Sequence, residues 1–173
     1  MSQENIEHFP VMLEEILSII TPQHGGTFVD CTFGAGGYSK AILNFKSTKV
    51  IAIDRDNFSR KYTKILSKDY KGRFNFYNNK FSEIEQIIND KDSIRAIILD
   101  LGFSMMQMKN LSRGFSFNST GLLDMGMGLN KFNAHNVINK LEQKEIELIL
   151  KYFGEERSAK KISYEIINFR KKK

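Results

Sequence analysis

Apolar positions along the first hundred residues follow two different periods. In Val11–Ile20, Leu13, Ile16, Leu17 and Ile20 fall on one side at three-to-four spacing, which predicts a short amphipathic helix. Four runs are instead short and rich in β-branched or aromatic residues: Thr27–Asp30, Lys49–Asp54, Phe74–Tyr77 and Ile94–Leu101. The last is apolar almost throughout, as suits the buried centre of a parallel sheet. Helices are predicted between the strands, from Tyr38 to about Asn44, over Asn57–Lys68 with a basic outer face, and from Ser82 to about Asn89. Ser82 and Glu85 have the spacing of a capping box for the third of these. This β-α-β-α-β-α-β order predicts a doubly wound α/β sheet. Beyond Gly102 the periodicity is lost. Residues 103–133 are rich in Met, Gly, Ser, Asn and Phe and have the character of an ordered, functional loop region. Helices resume at about 134–140 and 142–153, the second with Ile146, Ile149, Leu150 and Phe153 on one face. A third is expected over Glu155–Phe169, running into the basic end Arg170–Lys173.

Composition narrows the class. With 173 residues, 41% of them hydrophobic and 27% charged, the chain should form one globular domain, or one and part of another. No apolar run reaches membrane-helix length, and Met1–Asn5 lacks the basic start and apolar core of a secretory leader. The single cysteine, Cys31, cannot form an intrachain disulfide, and a reducing, cytoplasmic setting is expected. The net charge of +6 is unevenly placed. Residues 1–100 carry thirteen basic and thirteen acidic groups, whereas residues 101–173 carry thirteen basic and seven acidic. A ligand-binding first part and a polyanion-facing second part would produce this polarity; a generally lysine-rich composition would too.

Candidate chemistry concentrates after the first predicted strand, in Phe28-Val-Asp-Cys-Thr-Phe-Gly-Ala-Gly-Gly-Tyr-Ser39. Strand, glycine loop and helix make a backbone-lined seat for a small polar ligand, with helix N–H groups behind it. A phosphate-cradling P-loop requires Gly-Lys-Ser/Thr, which occurs nowhere in the chain. A dinucleotide fingerprint requires a third glycine where Ser39 stands. S-adenosylmethionine, which has no pyrophosphate, remains. Asp54, ending the second strand, is placed to accept hydrogen bonds from ribose hydroxyls. Capping of the next helix is the alternative, although Asp56 fits that role better. Asp30 is expected to brace the loop. Phe81 is either a stacking surface for an adenine or an ordinary core aromatic.

Taken together, the motifs resemble one family, the bacterial 16S ribosomal RNA (cytosine-N4)-methyltransferases. The resemblance runs through His8-Phe-Pro-Val-Met-Leu13, the glycine segment, Ala52-Ile-Asp-Arg-Asp56, Lys80-Phe-Ser82 and Ile98-Leu-Asp-Leu-Gly102. It continues through Arg113-Gly-Phe-Ser-Phe117, Leu123-Asp-Met125 and Tyr152-Phe-Gly-Glu-Glu-Arg157. It implies a Rossmann-like class I methyltransferase sheet over residues 1–103, followed over 104–173 by a loop and part of a helical RNA-recognition insert. It implies S-adenosylmethionine as cofactor, methyl transfer to the N4 of a cytidine, and 16S rRNA of the small ribosomal subunit as partner. Cofactor contacts carry over to Gly36, Gly37, Tyr38, Asp54, Phe81, Asp100 and Gln107, with Tyr38 where histidine is common; no metal is implied. Asp100 or a nearby carbonyl would orient the cytosine amine, and Phe103 would help form the base pocket.

Two departures shape the expectation. The family's Leu-Asp-Met-Arg-Met-Asp stands here as Leu123-Asp-Met-Gly-Met-Gly128, which removes a charged pair and should loosen the loop. The family's later Ser-Phe-His-Ser-Leu-Glu-Asp motif is missing, so a C-terminally truncated catalytic sheet is expected. The alternatives to an active methyltransferase are an inactive remnant that keeps RNA or cofactor binding, and an NAD-type oxidoreductase.

Overall fold

The computed structural model of the chain describes residues 10–91 and 93–172. His8 and Phe9 of the N-terminal motif, and Lys173 of the basic end, lie outside the described residues. Four parallel strands, β1 (Gly26–Asp30), β2 (Thr48–Ile53), β3 (Phe74–Tyr77) and β4 (Ile94–Ile98), lie in the order β3-β2-β1-β4. The connections carry helices α2 (Gly37–Leu43), α3 (Arg60–Asp69) and α4 (Ile84–Ile87), after an opening helix α1 (Leu13–Ile20). This is the doubly wound, Rossmann-like α/β arrangement. Because all four strands run the same way, their C-terminal ends share one rim. The chain moves outward from β1 to β2 and β3, then returns to the other side of β1 for β4. Such a reversal opens a crevice at the strand ends beside β1.

Two-residue periodicity divides the core between the faces of the sheet. Phe28, Val50 and Ala52 pack with Phe33, Ile42, Leu43 and Leu66, and the apolar side of α1 joins them. Val29 and Ile53 pack with Ile88 and with Ile84 and Ile87 of α4.

Several predicted boundaries shift by a few residues, three of them for a clear local reason. The fourth strand stops at Ile98 rather than Leu101, because pairing with β1 ends at Asp30↔Ile98 and the Asp100 N–H turns to the Thr32 hydroxyl at 2.8 Å. It is also not central: among the described residues β4 pairs only with β1, and Ile97 and Leu101 are 50% and 69% exposed. The Ser82/Glu85 capping box does not form. The turn starts at Phe81, so the capping acid is Glu83, which accepts from the Lys80 N–H at 3.2 Å and from Asn79 Nδ2 at 2.9 Å. The last helix begins at Ala159 rather than Glu155. Glu155 is left-handed (φ 49°), and the Glu156 carboxylate turns back to accept from the Ser158 N–H at 2.6 Å.

Two compact units emerge. One comprises the described residues up to Met105 with Met127–Leu129; the other comprises Met106–Gly126 with the described residues from Asn130 onward. In the first, Gly128 (φ 101°) lies so close to the Arg55 carbonyl that an added Cβ would come within 2.0 Å of it. An aspartate would not fit this conformation. In the second, helices α5 (Met105–Lys109), α6 (Ala134–Lys140), α7 (Gln143–Tyr152) and α8 (Ala159–Arg170) follow one another, α5 beginning at the boundary between the units. Asn133 and Asn136 cap α6 reciprocally, at 3.1 and 2.9 Å. The Arg170 guanidinium donates to the carbonyls of Ile138 and Leu141 at the end of α6, and to that of Val137, which also accepts the Leu141 N–H. The loop before α6 is tied by Arg113 to the Gly126 carbonyl, and by Asn133 to the Asp124 carboxylate at 2.8 Å.

One polar pair joins the end of β1 to the first turn of α2. The Ser39 hydroxyl donates to Asp30 Oδ2 at 2.6 Å, with both side chains fully buried, and the Thr32 N–H reaches Oδ1 at 3.3 Å. Burial pushes the Asp30 carboxyl up to about 6; the Ser39 and Thr32 hydrogen bonds only partly offset this. A carboxyl that holds its proton more tightly when folded contributes stability at low pH and loses it as pH rises. Urea unfolding should therefore show stability falling between about pH 4 and pH 6, by on the order of 3 kcal/mol. Asp30→Asn should flatten that slope.

Candidate functional site

The crevice floor is the glycine loop between β1 and α2. Its curvature depends on Gly36, which has φ 83° and whose added Cβ would lie 2.7 Å from the Phe33 ring. Phe33 is itself fixed in the core against Phe74 and Phe76, at ring separations of 5.6 and 5.3 Å. At Gly34, by contrast, the nearest heavy atom to an added Cβ is the Thr32 carbonyl at 3.8 Å, so space lies over the loop there.

Asp54 follows β2 directly and is the junction of the site. Its Oδ2 accepts from the Gly34 N–H at 2.7 Å and the Ser59 hydroxyl at 2.8 Å, and its Oδ1 accepts from the Asp56 N–H at 2.8 Å. Capping of the next turn falls to Asp56, which accepts from the Phe58 N–H at 3.1 Å. A carboxylate offers roughly four acceptor positions. Three are used by the protein, so Asp54 can hold one incoming hydroxyl directly rather than two.

At the other side of β1, the Asp100 backbone is anchored by Thr32 while its carboxylate is exposed, with no hydrogen-bond partner among the described residues. Two carboxylates, Asp54 and Asp100, thus follow the strands on either side of β1, whose own last residue, Asp30, is buried. A polyphosphate would face repulsion there, whereas a ligand with hydroxyls and positive charge would meet acceptors.

The remaining predicted positions are placed less uniformly. Phe81 follows β3 with 41% of its surface exposed, so it is not a core aromatic. Tyr38 turns inward: it is 7% exposed, and its hydroxyl donates to the Val11 carbonyl. Burial first, then the charges of Asp100 and Asp30, raise its phenol above the usual range. Tyr38 can therefore offer a ligand its backbone, not its ring. Gln107 is buried on α5, in the second unit. Burial and the Asp30 charge push the Cys31 thiol up to about 11, which leaves it a packing residue rather than a nucleophile. Among the described residues no group of three His, Cys, Asp or Glu side chains is placed to hold a metal, and no helix is long and apolar enough to cross a membrane.

Thr32, Ser59 and Asn78 carry no motif of their own in the sequence, and Ser39 stands out there only as a missing glycine. Asn78 Nδ2 donates to the Asp54 carbonyl at 2.7 Å, and the other three hold acids or backbone of the rim. The only available signal was their position within a few residues of the loop and strand ends.

Comparison with known proteins agrees with this geometry. Residues 5–173 match the MraW methylase family. A protein of Ehrlichia ruminantium (strain Gardel) called ribosomal RNA small subunit methyltransferase H is 42% identical over 169 residues, covering 95% of this chain and 56% of its own length. Proteins of the same name from a Wolbachia of Drosophila simulans and from Neorickettsia sennetsu are 46% and 42% identical, covering 96% and 99% of this chain. Each of those two is matched over 58% of its own length, so the chain spans rather more than half of these relatives. With nearly its whole length matched, the chain belongs to the MraW methylase family.

Proposed function

We propose that the crevice binds S-adenosylmethionine and that the protein acts in methyl transfer to the N4 of a cytidine in 16S rRNA of the small ribosomal subunit. The observation that carries this reading is the acid-rimmed glycine loop, where Asp54 is locked to Gly34 yet keeps one acceptor position. The relatives' name, ribosomal RNA small subunit methyltransferase H, supports the substrate class. The first unit would serve as the cofactor-binding core and the second as the RNA-recognition part. The surplus of basic residues after position 100 agrees with that division.

The residues present fit this cofactor. Gly34 leaves room over the loop, Gly36, Gly37 and the Tyr38 backbone form its floor, and Asp54 would take a ribose hydroxyl. The exposed face of Phe81 would lie against the adenine. When bound, S-adenosylmethionine supplies an electrophilic methyl group on a sulfonium. The exocyclic nitrogen of cytosine is a poor nucleophile because its lone pair conjugates with the ring. The Asp100 carboxylate, exposed at the end of the β4 segment, would accept one of its N–H groups and draw the lone pair out of conjugation. Phe103, 58% exposed, would help line the base pocket. Most of the remaining work is positioning of the base against the methyl donor.

Calorimetry should show binding of S-adenosylmethionine and S-adenosylhomocysteine but not NAD; binding of NAD, or of none of them, would overturn the cofactor assignment. Asp54→Asn removes a charged acceptor worth about 1.5–3 kcal/mol and should weaken cofactor binding at least about tenfold. For Asp100→Asn, the expected result is cofactor affinity within about threefold of wild type, with labelled-methyl transfer to small-subunit particles reduced roughly a hundredfold. Full turnover with weakened cofactor binding would instead make Asp100 a cofactor ligand only.

A further inference from the structure

Helix α8 has two sides with different tasks. Ala159 and Ser163 are buried, and Arg170 on the same side reaches the carbonyls that end α6. The packing of the helix is thereby fixed without its other side. That other side carries Lys160, Lys161 and Tyr164, at spacings of one and four from the first, and Arg157 lies in the turn just before the helix. Together with Gln143 and Ser158 they line a groove of about 440 Å³ within the second unit.

No acidic side chain lines this groove, and none of the three cations makes an ion pair or a side-chain hydrogen bond with another described residue. Of the acids nearest along the chain, Glu156 is engaged by the Ser158 N–H, and Glu165, four residues beyond Lys161, makes no ion pair with it. Lys160 and Lys161 also sit in the first turn of α8, where cations oppose the helix dipole. Three unpaired cations gathered there raise the local positive potential at some cost to the fold. Tyr164, 52% exposed, presents its ring on the same side.

We infer that this groove holds the phosphodiester backbone of single-stranded RNA, with Arg157, Lys160 and Lys161 on phosphates and Tyr164 under a base. Unpaired cations beside an exposed aromatic ring are the combination by which single strands are bound without sequence readout. One helical turn advances about 5.4 Å, on the scale of one phosphate-to-phosphate step. An acidic peptide would use the cations but leave the ring without a role. The inference rests on the RNA-directed function proposed above and assigns a particular part of the surface to it.

The test uses the full chain and a fluorescein-labelled oligouridine of about 12 nucleotides, followed by anisotropy over a range of salt. Replacing the three cations together (R157Q, K160Q, K161Q) should weaken binding at least about tenfold and lower the log–log salt slope by about 2, since each single-strand phosphate contact contributes roughly 0.7. Tyr164→Ala should weaken binding about tenfold with little change of slope, and Tyr164→Phe should restore it. The charge-keeping pair K160R and K161R should retain the slope, which guards against a fold defect in the triple variant. Exposed cations elsewhere, tested as K64Q and K68Q on α3, should leave the slope unchanged. An unchanged slope in the triple variant, an equal loss with K64Q and K68Q, no binding by wild type, or preference for a polyglutamate peptide would each overturn the inference. Cofactor titration of the triple variant separates the two claims. If S-adenosylmethionine binds and the RNA slope does not move, the groove is wrong; if RNA behaves as expected and no cofactor binds, the cofactor assignment is wrong.

Discussion

The Asp54 carboxylate gathers donors from three places: the Gly34 amide, the Asp56 amide and the Ser59 hydroxyl. A four-residue loop with three glycines has more backbone freedom to lose than any other segment of similar length, on the order of 1–2 kcal/mol per residue. Asp54 fixes the start of that loop from outside, while Asp30 holds the residues that flank it, Thr32 and Ser39. The crevice is thereby formed before any ligand enters. The same arrangement limits what Asp54 can still do, because most of its acceptor capacity is spent on the protein itself. A single carboxylate serves as both strut and contact, so mutation at this position will always affect the shape of the loop as well as the hydrogen bond to a ligand.

The two units are built on different principles. The first buries a sheet between helices and places acids at its rim. The second relies on reciprocal polar caps and on single arginines that tie separated segments together, Arg113 at Gly126 and Arg170 at the end of α6. Several acids of the first unit, Asp30, Asp54, Asp56 and Glu83, are used for internal bracing, whereas many cations after position 100 lie on the surface.

Much of the architecture was legible because strand periodicity, glycine position and strand-ending acids are local signals. Phe74–Tyr77 and 134–140 were placed correctly from such signals alone. The strand ending at Ile98 was not, because Leu99 and Leu101 are apolar and nothing local shows that pairing with β1 has run out. The capping acid was misassigned by two residues because both Glu83 and Glu85 satisfy the spacing rule, depending on where the turn begins. Glu155 adopts a left-handed backbone that its residue type does not advertise. The bracing roles of Thr32, Ser39 and Ser59 lay beyond sequence because hydroxyls are common and only the folded geometry selects the ones that face a carboxylate. Residues 103–133 read as loop throughout, yet Met105–Lys109 is a helix too short to show a period, and Gly128 reads as a loss of charge although the Arg55 carbonyl occupies the space a side chain would need.

The central claim is that the rim between the glycine loop, Asp54 and Asp100 is where the cofactor sits. The most direct test is a two-dimensional 15N–1H spectrum of the full chain titrated with S-adenosylmethionine. The largest shifts should fall on the amides of Gly34, Gly36, Gly37, Tyr38, Arg55 and Asp100, while those of Lys160, Lys161 and Tyr164 stay in place. Shifts concentrated on α7 and α8, or the same rim shifts produced equally by NAD, would contradict the account.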